Sequence, residues 1–166
     1  MERMGVWVNA VSGIGVVIGL VFLAIELNQN SEVMRYQSAR ESAATAIDIN
    51  IASMDPDVAS ALAKAYRDES GLTDAELVIV DSYISSYMNL FQQDFLEYRA
   101  GIQPDDWWTV RERGIRLILS TNWTREIWSN YSSGDFLTEF YTELTRIIDG
   151  VPTRDYYETV APQRKQ

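Results

Sequence analysis

The amino-terminal part of the chain is a long apolar run. Residues 5–25, GVWVNAVSGIGVVIGLVFLAI, include no charged side chain. As a helix, this run is roughly 32 Å long, about the thickness of the bilayer hydrocarbon. A helix buried in a soluble core usually shows a polar face, whereas this run offers only Asn9 and Ser12. The pattern therefore predicts a transmembrane helix.

The same run differs from a cleaved signal peptide. It is longer than the apolar region of about 7 to 15 residues that such peptides carry, and Ala24-Ile25-Glu26 is not a small-x-small cleavage site. We therefore expect a permanent anchor. The predicted organisation is a transmembrane anchor over residues 1–28, a helical bundle domain over 29–150 and a polar tail over 151–166.

Helical spacing continues beyond the anchor. Residues 26–54 contain no Pro or Gly, so the first helix is predicted either to run on or to break briefly at 28–30. Asp55-Pro56 then predicts the N-cap and first residue of a second helix, ending near Glu69. The extension of the first helix carries a weak apolar stripe, which we expect to pack: Ala43, Ala44, Ala46, Ile47 and Ile51.

The strongest local signal opens the third helix. Gly71 supplies a helix stop, and Thr73-x-x-Glu76 is a capping box that begins a long helix to about Arg99. Apolar residues then recur every three or four positions, which is typical of the core-facing side of a bundle helix. The predicted stripe is Leu77, Val80, Ile84, Tyr87, Phe91, Phe95 and Tyr98.

Three further helices follow the third. They are predicted from Pro104 to about Ser120, from Trp123 to Tyr131 with Asn122 as N-cap, and from Asp135 to Asp149 with Phe136 and Leu137 inside. No stretch alternates apolar and polar residues as a strand would. The fold class is therefore all-α, an N-terminal transmembrane helix followed by an antiparallel helical bundle.

Several short motifs together resemble a known group of proteins. They are LAIELNQN at the end of the span, Arg35, DPDVASAL, LTDAE, EYRAGI, the Trp107-Trp108 pair and REIW. In this combination and order, the chain resembles an uncharacterised family of single-span bacterial membrane proteins with a C-terminal helical domain. The resemblance covers nearly the whole chain and implies topology and architecture, with no catalytic residue to transfer.

The composition of the chain argues against several kinds of partner and of catalytic chemistry. The net charge of −10 argues against nucleic acid as a partner, because a polyanion would be repelled. The chain has no Cys and no His, which removes disulfides, thiolate nucleophiles, the usual general base and the commonest metal ligand. We therefore expect no enzyme activity, no catalytic residue, no cofactor and no metal site.

Two sets of charged residues are candidate sites. Asp94 and Glu97 lie one helical turn apart and could begin a metal or acid–base site, although a solvated face is the simpler interpretation. The run Arg111, Arg113 and Arg116 could bind an anion or an acidic partner, but pairing with acidic residues of the same chain is favoured. Gly114 lies between these arginines in a helix interior, and we expect another helix to cross closely there.

Trp107 and Trp108 are adjacent, so on a helix they point about 100° apart. They cannot both face one core, and one of them is expected to be exposed. Exposed tryptophan is favoured in protein interfaces and at membrane surfaces. With the arginine run, the pair is therefore a possible docking surface, and closing the bundle end is the alternative.

One face of the anchor carries small and polar residues: Gly5, Asn9, Ser12, Gly15 and Gly19. Spacings of three and four put them on one side of the helix, and Gly15-x-x-x-Gly19 is a small-xxx-small pair that lets two backbones approach. We expect this face to contact another transmembrane helix, from a partner complex or a second copy, with the lipid bilayer around the rest.

Two functions are compatible with these sequence features. The first is a non-catalytic accessory or assembly subunit of a larger membrane complex, for example a photosynthetic or respiratory one. The second is a membrane-anchored sensor whose helical domain binds a small ligand. The expected location is the inner (cytoplasmic) membrane. Arg3 lies before the span and Arg35 and Arg40 after it, so the positive-inside bias places the domain in the cytoplasm.

Overall fold

The computed structural model describes the backbone of residues 2–67 and 71–152 and the side chains of residues 13–67 and 71–152. Within these ranges the chain forms helices and no strand, which confirms the all-α prediction. The helices are α1 (Glu2–Ala52), α2 (Pro56–Tyr66), α3 (Asp74–Arg99), α4 (Asp105–Ile118), α5 (Asn122–Asn130) and α6 (Thr138–Asp149).

Helix α1 is continuous through residues 28–30, so of the two predicted alternatives the unbroken helix is correct. Its carboxyl end packs on a different face from the one expected. Ser42 is buried, and Ala46 and Ile49 pack against the core. Most of the predicted stripe is wrong, because these members are exposed: Ala43, Ala44, Ile47 and Ile51.

The chain divides into two compact units, Met1–Ala39 and Arg40–Gln166. In the first unit every described side chain from Gly13 to Gln37 is exposed. The second unit contains the hydrophobic core. Hereafter it is called the helical domain.

The starts of α2 and α3 follow their capping signals. A side-chain oxygen of Asp55 accepts hydrogen bonds from the amides of Asp57 and Val58 at 2.9 and 3.4 Å. At α3, the Glu76 amide donates to the Thr73 hydroxyl at 3.3 Å and the Thr73 amide donates to Glu76 Oε2 at 2.8 Å. Both caps are confirmed, because each satisfies amide groups that lack a partner in the first turn.

Helix α3 is the centre of the domain. Its buried residues include five of the predicted stripe, Val80, Ile84, Tyr87, Phe91 and Phe95. Tyr98 is half-buried, and Leu77 was wrongly predicted inside because its side chain is 49% exposed. Helices α2 and α4 both pack on α3, and α6 packs on α4. Gly101, at a φ of 71°, follows α3 and supplies the left-handed backbone that ends it.

The later helix boundaries differ from prediction by a few residues. Thr121, not Asn122, caps α5, since its side chain accepts from the Thr124 amide. Helix α6 starts at Thr138 instead of Asp135, because the Asp135 carboxylate accepts from the Ser132 amide at 2.7 Å and closes a turn there. Two further differences lie at helix ends: α4 stops at Ile118, two residues before the predicted end, and Leu137, which was predicted inside, is 48% exposed. The predicted α2 terminus, Glu69, lies outside the described residues.

Candidate functional site

A buried ion pair joins three helices of the domain. Asp94 on α3 is completely buried, and its Oδ2 atom lies 2.6 Å from Nε of Arg111 on α4. The same guanidinium donates to the hydroxyl of Ser42 on α1 at 2.6 Å, and its Cζ lies 5.2 Å from the centroid of the Trp107 ring. Arg111 thus forms an ion pair, a hydrogen bond and a cation–π contact within the domain.

The electrostatics of this cluster favour a structural role. Burial raises the pKa of Asp94 above its ordinary value, and the charge of Arg111 and the nearby Ser42 hydroxyl only partly offset that effect. The 2.6 Å contact between Nε and Oδ2 pairs the buried carboxylate with the guanidinium. Because Asp94 is shielded from solvent, it is poorly placed to exchange protons with a substrate.

The two adjacent tryptophans occupy different environments. Trp108 is buried, stacks on Tyr98 with centroids 5.7 Å apart, and donates its indole hydrogen to Glu143 Oε1 at 3.2 Å. Trp107 is half-buried beneath Arg111, so the expectation that one of the two is exposed was wrong. Trp108 therefore leaves little surface for a partner. Of the two tryptophans, only Trp107 could contribute to a docking surface.

The remaining arginines of the run line a shallow groove of about 320 Å³ near the end of α6. Arg113 is exposed, and Arg116 is half-buried with its guanidinium 3.4 Å from Glu112. Beyond the run, Arg125 donates to the carbonyls of Ile148 and Val151, which stabilises the negative end of the α6 dipole. The groove is completed by Leu117, Ser120, Gly150, Val151 and Pro152.

The close helix crossing expected at Gly114 is not present. A Cβ atom built on this residue meets no described atom within 4 Å, so no neighbouring backbone presses against it. The glycine lowers helix propensity by about 1 kcal/mol without a packing reason in the structure. That prediction was wrong.

Asp94 and Glu97 do not converge on one site. Asp94 points into the ion pair, and Glu97 accepts a hydrogen bond from Gln93 on its own helix at 3.2 Å. Over the described part of the chain, no three Asp or Glu side chains lie close enough together to hold a metal ion. The two carboxylates serve separate local contacts.

An apolar groove of about 440 Å³ lies between the end of α1, α2 and the first half of α3. Its walls are mostly apolar, and burial raises the pKa of Tyr83 above its ordinary value, which keeps this phenol neutral. Sequence patterns gave no signal for it. Its lining residues are Asp48, Ile49, Ala52, Val58, Val78, Ile79, Ser82, Tyr83 and Ser86.

The membrane face proposed from sequence is only partly described. Gly15 and Gly19 are exposed, and a Cβ atom on either meets no atom of the described residues within 4 Å. Gly5, Asn9 and Ser12 lie within α1, but their side chains are outside the described residues. In the described structure one helix is long and apolar enough to cross a membrane, and its apolar window has a mean hydropathy of 1.5 with no buried residue.

Comparison of the chain with family models, curated proteins and solved structures finds no match. The resemblance to single-span bacterial membrane proteins therefore stays a prediction.

Two features escaped the sequence analysis because each depends on contacts between distant segments. Ser42 and Arg111 are 69 positions apart, yet they share a hydrogen bond. The apolar groove likewise joins segments from three helices. A serine in an alanine-rich stretch gives no sign of such a partner.

Proposed function

We propose that this is a non-catalytic, single-span protein of the inner (cytoplasmic) membrane that serves as an accessory or assembly subunit of a larger membrane complex. The observation that carries the proposal is the uniform exposure of the apolar part of α1. Ten large apolar side chains between residues 14 and 27 are 47–63% exposed. Leaving them in water costs on the order of 10 kcal/mol, which lipid removes.

The face around Gly15 and Gly19 supports a helix partner in the membrane. Among the described residues, neither glycine has a neighbouring atom within 4 Å of a Cβ position, so this part of the backbone is open to approach. Close backbone approach is how small-xxx-small pairs stabilise helix association in lipid, where the hydrophobic effect does not act between helices. By helical spacing, Asn9 and Ser12 extend this face and would donate or accept hydrogen bonds across it.

The chemistry of the domain supports interaction over catalysis. The chain has no His and no Cys, so a nucleophile would need a carboxylate, hydroxyl or amine as its base. The buried carboxylate, Asp94, is already paired with Arg111. The Ser85 and Tyr131 hydroxyls lie 2.5 Å apart, but the carboxylate near them, Asp81, hydrogen-bonds only the phenol, at 3.3 Å.

Purification from native membranes in a mild detergent tests this proposal. The expected result is a complex in which the chain and at least one other membrane protein are present in fixed stoichiometry. A monomer that carries a bound small molecule would contradict it and support the ligand-binding sensor instead. Amino-terminal sequencing of the same sample should find the segment 1–25 still attached, since removal of that segment would make it a signal sequence.

A further inference from the structure

The apolar groove at the end of α1 is flanked by exposed apolar side chains. Nine large apolar residues of the described helical domain are exposed, and five of them lie at residues 47–54 and 77–78. These five are Ile47, Ile51, Met54, Leu77 and Val78, with exposures from 49% to 76%. Val78 lines the groove itself, and Ile47 and Ile51 are adjacent in sequence to the lining residues Asp48 and Ala52. Met54 lies in the turn that follows α1, whereas Leu77 is on another side of α3.

Size and shape favour an extended occupant. A volume of about 440 Å³ would suit a small ligand, but a small ligand would leave Ile47, Ile51 and Met54 in water. An open apolar groove bordered by further exposed apolar side chains is typical of surfaces that receive the apolar face of an amphipathic helix. Such a helix covers the groove and its flanks together.

The segments that form the groove carry charge of one sign. The segments 41–63 and 71–98, which contain every lining residue, have no Lys or Arg. Exposed carboxylates lie on the groove wall or within one helical turn of a lining residue: Asp48, Asp57 and Asp74. Lys64, which directly follows the first of these segments, forms an ion pair with Glu76 at 2.5 Å. The groove is therefore apolar inside and acidic at its rim.

We propose that this groove binds an amphipathic helix with basic flanks, contributed by another protein. The apolar face of the helix would fill the groove, and its Lys or Arg residues would pair with the acidic rim. An anionic membrane surface is disfavoured as the occupant, because the same carboxylates would repel lipid phosphate. The proposed binding site lies in the helical domain alone and is independent of the membrane contact proposed for the span.

Binding of a synthetic peptide tests the proposal. The full chain in nanodiscs of neutral lipid is titrated with a fluorescent 18-residue leucine-rich amphipathic peptide flanked by lysines, and empty discs give the background. A matched peptide with glutamate flanks has the same apolar face. We expect the lysine peptide to bind about tenfold more tightly at low salt, with the ratio falling towards about threefold in 0.5 M salt. Equal affinities, or no binding above empty discs, would overturn the proposal.

Two matched variants locate the binding. Val78 in the groove and Val110 on α4 are 65% and 63% exposed, so Val78→Asn and Val110→Asn are equivalent changes at the surface. We expect Val78→Asn to weaken the lysine peptide about tenfold and Val110→Asn to leave it unchanged. Asp48→Asn should weaken it about threefold, and this loss should vanish in 0.5 M salt. Equal effects of the two valine variants would overturn the assignment.

The same protein can identify other occupants. A photoreactive benzoylphenylalanine in place of Val78 should cross-link to the lysine peptide, with the product located by mass spectrometry. Cross-linking instead to residues 153–166, or to a second copy of the chain, with the peptide unable to compete, would overturn the proposal in favour of that occupant.

Discussion

The Oδ2 atom of Asp94 on α3 lies 2.6 Å from Nε of Arg111 on α4, in a position where the carboxylate has no exposure to solvent. Arg111 also donates to Ser42, so one guanidinium connects the carboxyl end of α1 to two helices of the core. A buried pair of this kind contributes little compared with apolar residues of the same volume. It is costly to break, because one charge is then left buried without its partner.

Removing one partner of this pair is expected to destabilise the helical domain. Asp94→Ala should lower the free energy of unfolding of the helical domain by about 3 kcal/mol, the low end for a buried pair, because the Arg111 side chain is 20% exposed and keeps the Ser42 hydroxyl and the Trp107 ring as partners. Arg111→Met should have a similar effect through Asp94. The measurement is guanidinium unfolding of the full chain in micelles, followed by near-ultraviolet circular dichroism.

The double variant Asp94→Leu, Arg111→Met provides the control. It removes both charges and keeps apolar volume, so its stability should lie within about 1 kcal/mol of the wild-type protein. Single variants that each cost less than about 0.5 kcal/mol would show that the pair behaves like an exposed salt bridge, contrary to this account.

Local sequence signals predicted the starts of α2 and α3 well. Asp55 and the Thr73–Glu76 box act within three residues of themselves, so short-range hydrogen bonding decides them. Helical periodicity also identified the core side of α3 from Val80 to Phe95. In these places the neighbours in sequence are also the physical cause of the structure.

Predictions failed where a distant segment decides the outcome. Periodicity put Leu77 inside and favoured Ile47 and Ile51, but all three are exposed because no described element covers them. Spacing shows which residues share a face and not what lies opposite that face. The Ser42–Arg111 contact and the apolar groove were missed for the same reason, since both need the packed helices.

A pH-dependent stability is expected from Glu76. Hydrogen bonds from Lys64 and from the Thr73 amide lower the pKa of Glu76 from its ordinary 4.5 to about 2. Because the folded-state pKa lies below the unfolded value, the stabilisation is complete above pH 4.5 and is lost as the pH falls towards 2. Unfolding midpoints of the wild-type protein and Glu76→Gln should therefore converge across this window. A difference that stays constant from pH 6 to pH 2 would contradict this origin.

The Gly15–Gly19 face of the span is expected to determine association with the partner complex. Gly15→Leu with Gly19→Leu should reduce recovery of the partner complex in mild detergent several-fold, because leucine side chains hold the two helix backbones apart. Val17→Leu with Val21→Leu adds bulk to other positions of the same helix and should leave recovery unchanged. Both double variants should insert in the membrane. If they reduce recovery equally, the glycine face is not the contact and the span acts as a tether.

Topology is predicted from charge near the span. Arg35 and Arg40 follow the apolar run and only Arg3 precedes it, so the carboxyl side is expected to face the cytoplasm. Alkaline phosphatase fused after Gln166 should be inactive, and a fluorescent protein that matures in the cytoplasm should be bright at the same position. The reverse pair of results would place the domain outside.

Insertion of the apolar part of α1 in lipid is the central claim, and cysteine labelling tests it most directly. The chain has no Cys, so Leu20→Cys and Tyr36→Cys each introduce a single thiol, at positions 60% and 73% exposed in the folded chain. A water-soluble maleimide is added to native membranes opened by sonication, so that both surfaces are accessible. We expect the thiol at position 36 to react readily and the thiol at position 20 to react only after detergent denaturation. Similar rates at both positions in intact membranes would contradict the account.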